Sequence, residues 1–203
     1  MACKCFKDLV KGNLEFVNNH EYDRERRETA TGQNPCSVVV TCSDSRVSAP
    51  IIFSNTSLGS FFEVETAGQT LGANDIESIK YAVTELGAKL VVVLGHTNCG
   101  AVKSTIESLW EPKIRNEFPA IVNDILPSVL IEMRKMGVDA QDVKNNPKLK
   151  EKLLEKSIIR NAIDQAQVVA FLMNLKCNKE VIPGVYNIRT GKVKWLQISD
   201  CIN

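Results

Sequence analysis

The sequence predicts an α/β fold in a single domain. Two runs rich in β-branched residues, Ser37–Thr41 and Leu90–Leu94, are typical of strands that are buried on both faces. A helical pattern lies between the two runs, and this alternation predicts a βαβ unit with parallel strands. The chain has 203 residues, 44% of them hydrophobic, without a linker-like shift in composition, so we expect one domain spanning 1–203.

The first half of the chain is predicted element by element from its spacing. Apolar residues recur at helical spacing near the amino end, with only Gly12 interrupting them, and they predict an amphipathic helix: Phe6, Leu9, Val10, Leu14 and Val17. This helix is expected to pack on a partner or on the sheet. After the strand at 37–41, a second short strand is predicted at 61–65. A helix from about Asn74 to Leu86, with Gly87 as its stop, then leads to the strand at 90–94.

The second half has a less regular pattern. Residues 101–109 continue as a helix, whereas Pro112 and Pro119 break the helical pattern. The polar, uneven segment 137–150 predicts a loop, and a long helix follows near 151–175. Two strand-like segments joined at Thr190–Gly191 predict a closing hairpin: Val181–Ile188 and Lys192–Ile198.

Charge and hydropathy exclude several classes of protein. The formal net charge is +1, and basic residues are mixed with acidic ones, as in Asp23–Glu28, which is unlike a nucleic-acid surface. No run of about 18 apolar residues is present, and the amino end lacks the apolar region of a signal peptide. Seven cysteines are an odd number for a disulfide framework. We therefore expect a soluble cytoplasmic protein with neither a nucleic-acid nor a membrane partner.

Two short motifs carry the chemistry. Cys42-Ser43-Asp44-Ser45-Arg46 and His96-Thr97-Asn98-Cys99-Gly100 each begin where a predicted strand ends. Because ligands bind outside the carboxyl ends of parallel strands, neighbouring strands would bring Cys42, His96 and Cys99 together. Two thiolates and an imidazole suit zinc, and three protein ligands leave a fourth position free, which is typical of a catalytic site.

The two motifs together resemble the signature of the β-class carbonic anhydrases, a Cys-x-Asp-x-Arg segment followed by a His-x-x-Cys-Gly segment, here CSDSR and HTNCG. The resemblance covers nearly the whole chain, and residues 110–150 are least alike. Its other segments are Gly12–Val17, Gly32–Pro35, Ile51–Phe53, Ser78–Val83, Gly184–Asn187 and Thr190–Val193. It implies a mainly parallel central sheet flanked by helices, an amino-terminal helix packing on a dimer partner, and a homodimer or higher homo-oligomer.

The resemblance also implies an activity, the reversible hydration of CO2 to bicarbonate and a proton by hydroxide on one zinc ion per chain. Asp44 lies two residues from Cys42 and two from Arg46, so its carboxylate can face the metal while the guanidinium holds it in a bidentate pair. An ionised carboxylate only accepts hydrogen bonds. Asp44 is therefore expected to orient the hydroxide, and Arg46 to keep Asp44 charged and aimed.

Two alternatives to this role of Asp44 stay open. Asp44 and Arg46 can be an ordinary surface ion pair, worth about 1 kcal/mol or less. Alternatively, an Asp44 that Arg46 has released becomes a fourth zinc ligand and closes the site at lower pH, so that either water or Asp44 occupies the fourth position.

The resemblance further implies a substrate pocket. Gln33 and the backbone of Gly100 lie beside the substrate, with Gln33 donating to an oxygen of CO2 or bicarbonate. Phe62, Ala67 and Tyr81 line an apolar pocket at the dimer interface.

One departure from the family pattern has a predicted consequence. Relatives usually carry an arginine where this chain has Glu65, and an asparagine near Gln69. Some bacterial relatives bind bicarbonate at a regulatory site made of a tryptophan, that arginine and a tyrosine. Here the first two positions align with Val39 and Glu65, and Tyr186 alone is retained, so we expect this regulatory site to be absent.

Two rival functions use the same metal ligands. The scaffold can instead hydrolyse carbonyl sulfide or carbon disulfide, and the metal loops alone do not exclude these linear substrates. The chain can also be a non-catalytic zinc-binding or redox-sensing protein. The presence of Asp44 and Arg46 argues against the second function, because zinc storage requires neither residue.

Overall fold

The strands of the chain form one mainly parallel sheet. A computed structural model describes residues 3–176 and 178–198, and within them five strands pair in the order β2-β1-β3-β4-β5. The strands are β1 (Ser37–Cys42), β2 (Phe61–Thr66), β3 (Leu90–His96), β4 (Val181–Tyr186) and β5 (Val193–Trp195). The first four are parallel, and only β5 pairs antiparallel, with β4. The predicted α/β fold with a mainly parallel central sheet is therefore confirmed.

The described residues also form helices. They are α1 (Lys4–Asn18), α2 (Asp23–Thr29), α3 (Ala49–Ile52), α4 (Ala73–Thr84), α5 (Gly100–Glu107), α6 (Pro112–Glu117), α7 (Pro119–Met136), α8 (Ala140–Asn145) and α9 (Pro147–Met173). Two 3₁₀ turns lie at His20–Tyr22 and Ala67–Gln69. The predicted strands at 37–41, 61–65 and 90–94 and the helix between the last two are all present. No helix within residues 3–176 and 178–198 is both long and apolar enough to cross a bilayer.

The helical pattern breaks at Pro112 and Pro119 as predicted, and each of these prolines also begins a helix. Pro112, Pro119 and Pro147 each stand in the first turn of a helix, α6, α7 and α9 respectively. Proline fits this position because its missing N–H is one that a first turn leaves unpaired, and its fixed φ suits a helix. A proline that interrupts a helical pattern therefore also marks the start of the next helix.

The loop predicted at 137–150 is wrong in part, because residues 140–145 and 147–150 are helical. Asp139 accepts hydrogen bonds from the backbone of Gln141 and Asp142 at 2.8 Å each and so caps α8. Asn146 does the same for α9, accepting from Lys148 and Leu149 at 3.1 and 3.2 Å. Polar residues that predicted a loop are helix caps here. At the carboxyl end, β4 and β5 are shorter than the predicted strands at 181–188 and 192–198.

The register of the sheet positions the functional loops. Thr41 of β1 lies beside Leu94 of β3, so the two strands end next to each other at the same edge. Beyond that edge, Cys42 and Cys99 belong to a buried cluster that also holds Val102, Ile125 and Val185. The carboxyl edge of the sheet therefore carries a site whose buried side packs against α5, α7 and α9.

Candidate metal centre

Three metal-binding side chains meet at the carboxyl edge of the sheet. Cys42 is the last residue of β1, His96 is the last residue of β3, and Cys99 precedes the first turn of α5. Their ligand atoms all lie within 4.8 Å of one another, and all three residues are buried. The two Sγ atoms are 4.0 Å apart, although 57 positions separate them in the sequence.

The loop after β3 is shaped so that Cys99 returns toward His96. Asn98 has a φ of +56°, in the left-handed region that asparagine tolerates better than most residues. The loop is tied to β4 at two points: the Thr97 amide donates to the carbonyl of Tyr186 at 2.9 Å, and the Thr97 hydroxyl oxygen accepts from the amide of Ile188 at 3.1 Å. The spacing between His96 and Cys99 is thus fixed by the backbone.

His96 presents one nitrogen to the two sulfurs. Its Nδ1 lies 3.0 Å from the carbonyl oxygen of Thr97, and since a carbonyl only accepts, Nδ1 carries the proton. Nε2 of His96 then carries a free lone pair. This nitrogen has no hydrogen-bond partner among the described residues, although the side chain is fully buried. A buried acceptor without a partner is costly in an apolar surrounding, and a metal ion would satisfy it.

The groups around the Cys42 sulfur favour its thiolate form. The hydrogen bond from the Cys99 thiol is the largest of the effects that hold the pKa of Cys42 below its usual range, and the Gly68 amide acts in the same direction. The negative Cys42 in turn raises the pKa of Cys99. The opposite shifts show that the two sulfurs interact strongly across the distance between them.

The donor set fits zinc. Two sulfur ligands at about 2.3 Å from a tetrahedral ion stand roughly 3.8 Å apart, close to the 4.0 Å between Cys42 and Cys99. Two thiolates with one neutral imidazole match a borderline-soft ion. Three side chains leave one coordination position for a water or a substrate.

Asp44 and Arg46 form a bidentate ion pair beside the three side chains. The Arg46 Nε donates to Oδ1 of Asp44 at 2.8 Å and its Nη2 donates to Oδ2 at 2.6 Å, while the Arg46 amide also donates to Oδ1 at 3.0 Å. These bonds hold the pKa of Asp44 well below its usual range. Oδ2 lies 3.8 Å from Nε2 of His96, so an ionised carboxylate faces the centre.

The residues predicted to line the substrate pocket lie at two opposite edges of the sheet. Ala67 and Gly100 are at the carboxyl edge, next to Gly68 and Cys99. Phe62 pairs with Val38 in the sheet, four residues before the pair of Cys42 and Thr66, which is roughly 13 Å along the strand.

Gln33 and Tyr81, like Phe62, lie at the amino end of the strands, opposite to the metal centre. Gln33 precedes the amino end of β1 in an exposed segment, and Tyr81 is in the last turn of α4, which runs back toward that end. Tyr81 is 50% exposed. Within one chain, Gln33, Phe62 and Tyr81 are therefore remote from Cys42, and their shared pocket stays a prediction.

Comparison with known proteins decides the family. The sequence model described as "Carbonic anhydrase" matches residues 37–193, which include both motifs. The chain belongs to the carbonic anhydrase family. A carbonic anhydrase of Mycolicibacterium smegmatis is 35% identical over 198 residues, covering 93% of this chain and 90% of the relative. Carbonic anhydrase 2 of Mycobacterium tuberculosis is 38% identical over 135 residues, covering 64% of this chain and 65% of the relative.

Solved structures of β-carbonic anhydrases share the fold of this chain. The β-carbonic anhydrase of Coccomyxa in complex with acetazolamide superposes with a TM-score of 0.72 at 24% identity, over 93% of this chain and 85% of that one. The β-carbonic anhydrase CcaA gives a TM-score of 0.71 at 18% identity, over 96% and 100% of the two chains. At these identities the likeness concerns the fold, which is that of the β-carbonic anhydrases.

As a β-carbonic anhydrase, the protein is a zinc-dependent lyase that catalyses the reversible hydration of CO2 to bicarbonate, and its Cys42, His96 and Cys99 cluster can hold one ion.

The absence of a bicarbonate regulatory site from this carbonic anhydrase stays a prediction. Glu65 is exposed on β2, Val39 is buried in β1, and Tyr186 ends β4.

One residue of the metal centre was missed in the sequence. Gly68 follows β2 in the 3₁₀ turn at Ala67–Gln69, and its amide donates to the Cys42 sulfur at 3.2 Å. Its φ is +76°, and a Cβ there would stand 2.7 Å from Cδ1 of Ile125, so only glycine fits. The available signal was a glycine at the carboxyl end of a strand next to the one that bears Cys42.

Proposed function

We propose that Cys42, His96 and Cys99 hold the zinc of this carbonic anhydrase and that Asp44 and Arg46 complete its catalytic site. The observation that carries the proposal is the fully buried Nε2 of His96, which has no hydrogen-bond partner among the described residues. It lies within 4.8 Å of the Cys42 and Cys99 sulfurs, and Oδ2 of Asp44 is 3.8 Å away. This set of groups suits a metal and a polar reactant better than a packed core.

Zinc in such a site lowers the pKa of a water molecule and so supplies a nucleophile near neutral pH. The side chains of the site orient this nucleophile. Asp44 only accepts hydrogen bonds, so it favours a reactant whose oxygen carries a hydrogen. Its bond to that hydrogen turns a lone pair of the same oxygen toward the carbon of CO2. The two parallel bonds from Arg46 fix the plane of the carboxylate and keep it ionised.

Zinc removal tests the proposed site directly. Stopped-flow hydration of CO2 by the purified protein should depend on one zinc per chain, fall to the uncatalysed rate after chelation, and return when zinc is added. The Arg24 and Glu28 pair lies on the exposed α2, so a Glu28→Gln variant should behave like the wild type and serve as a handling control. Activity that survives complete removal of zinc would contradict the proposal.

We also propose that the active unit is a homodimer or a higher homo-oligomer. Gln33, Phe62 and Tyr81 lie at the amino edge of the sheet and the metal centre at the carboxyl edge, so one pocket that contains both groups requires two copies. α1 supports this, because it has no buried residue. Five apolar side chains of α1 are 45–73% exposed: Phe6, Leu9, Val10, Leu14 and Val17. A continuous apolar face of this kind marks an interaction surface.

Charge placed on the apolar face of α1 should therefore separate the copies. A Leu9→Glu/Leu14→Glu variant is expected to elute as a monomer and to lose most of its activity, whereas a Lys4→Glu/Lys11→Glu variant, changed on the polar face, should keep the wild-type assembly. Light scattering coupled to size-exclusion chromatography gives both masses. A fully active monomer would contradict the proposed partner contribution to the pocket.

The location that we propose is the cytoplasm. The proposed thiolate ligands must stay reduced, and Cys3, Cys5 and Cys36 are exposed free thiols. Such thiols persist in a reducing compartment. Recovery of the protein from a secreted fraction of its source cells would contradict this location. Cys177 and Cys201 lie outside the described residues.

A further inference from the structure

A buried amide of α9 reaches the turn that supports the metal centre. Asn161 is fully buried, and its Nδ2 donates to the carbonyl oxygen of Gly68 at 2.9 Å. The two residues are 93 positions apart in the sequence. The contact therefore joins α9 to the turn after β2, across the carboxyl end of the sheet.

Gly68 is bound from both sides. Its carbonyl accepts from Asn161, and its own amide donates to Sγ of Cys42 at 3.2 Å. Other bonds close the turn without contacting Gly68, such as that from the Thr66 hydroxyl to the carbonyl of Thr70 at 2.6 Å. Asn161 is thus the side chain that fixes Gly68 relative to α9.

Simple packing does not account for an asparagine at this position. Among its neighbours on α9, Ile158 and Ala162 are apolar members of the buried cluster under the site, whereas Ser157 and Gln165, one turn away on either side, are buried and polar. An amide among such residues costs free energy unless it is hydrogen-bonded, and an apolar residue would fill the same space without that cost. Oδ1 of Asn161 has no hydrogen-bond partner among the described residues, so the bond from Nδ2 to Gly68 is the contact that accounts for an asparagine here.

We propose that Asn161 is a positioning residue of the metal centre, which aims the Gly68 amide at the Cys42 sulfur by holding the Gly68 carbonyl. An N–H directed at a thiolate withdraws electron density from the sulfur and fixes its orientation. Such outer contacts influence how a ligand binds its metal. The inference rests on the proposed function, because it assigns Cys42 as a ligand.

Two variants remove the donor in different ways. Asn161→Ala removes the amide and leaves a void, whereas Asn161→Leu removes it and retains the volume. Loss of an outer-shell partner typically lowers metal affinity by about 10- to 100-fold, so we expect roughly tenfold weaker zinc binding in both variants, measured by competition with a chelator. With Co2+ in place of zinc, the thiolate-to-metal charge-transfer band should shift in both.

Ser157→Ala is the matched control. Ser157 is also fully buried, one turn earlier on α9, and its hydroxyl has no hydrogen-bond partner among the described residues. This variant should keep the wild-type zinc affinity and cobalt spectrum. A general loosening of the core would instead change all three variants alike.

The outcomes separate this inference from the proposed function. If the wild-type protein loaded with Co2+ shows no thiolate band, Cys42 and Cys99 are not ligands and the proposed function fails. If the band is present but Asn161→Leu matches the wild type in affinity and spectrum, only the role of Asn161 is wrong. If neither Asn161 variant folds, the residue is required for the fold itself, and the inference is also wrong.

Discussion

Replacing Cys42 with alanine should remove both the metal and the activity. The change deletes one of the two sulfurs that stand 4.0 Å apart and leaves Cys99 and His96 as a pair, which is too few ligands for a stable tetrahedral site. Elemental analysis of Cys42→Ala is expected to find little zinc, and its rate of CO2 hydration should equal that of buffer. No larger effect is expected from any single substitution in the chain.

A thermal scan with added zinc distinguishes metal loss from unfolding. Because a ligand that binds the folded state stabilises it by about 2.7 kcal/mol at one hundred times its Kd, zinc should raise the unfolding midpoint of the wild type but not that of Cys42→Ala. Cys36→Ala is the matched control, since Cys36 is an exposed thiol that stands just before the same strand. A Cys42→Ala protein with full zinc content would overturn the ligand assignment.

The sequence predicted that Cys42, His96 and Cys99 meet, because the signals there are local. The runs before Cys42 and His96 are β-branched and apolar, which indicates strands in any context. The rule that ligands gather at the carboxyl ends of parallel strands then brought the two motifs together without knowledge of distances. The bidentate bonds between Asp44 and Arg46 follow from a spacing of two residues within one loop.

Contacts between distant segments left no such local signal. Gly68 and Asn161 are two of many glycines and polar residues in the sequence, and their relation to Cys42 arises only when the turn after β2 meets α9. The breaks at Pro112 and Pro119 were predicted correctly, but the sequence pattern did not indicate that each proline also begins a helix.

The substrate pocket shows a limit of a different kind. Phe62 is placed by its pairing with Val38, at the end of the sheet remote from Thr66 and Cys42. The sequence pattern is the same whether the residues of the pocket come from one chain or from two. The sheet register distinguishes these two arrangements, and no local spacing in the sequence gives that register.

Asp44→Asn should reduce the hydration activity on the order of 10²-fold or more while zinc stays bound. The amide keeps the shape of the carboxylate but lacks its charge and can donate hydrogen bonds, so it no longer restricts the reactant to one orientation. Losses of about 10²- to 10⁴-fold are typical when a group that handles a proton is removed. Zinc content and kcat/KM, measured on the same preparation, test this expectation.

Arg46→Ala should cost less, roughly tenfold, because Arg46 acts through Asp44 by two hydrogen bonds at 2.8 and 2.6 Å. The double variant should then be no less active than Asp44→Asn alone, since residues that act as a unit are not additive. Arg24→Ala and Glu28→Gln, which break an exposed ion pair on α2, control for the loss of each charge. If the effects of the two single variants multiply in the double variant, Arg46 has a role independent of Asp44. An Asp44→Asn protein with wild-type activity would instead reduce the pair to an ordinary surface contact.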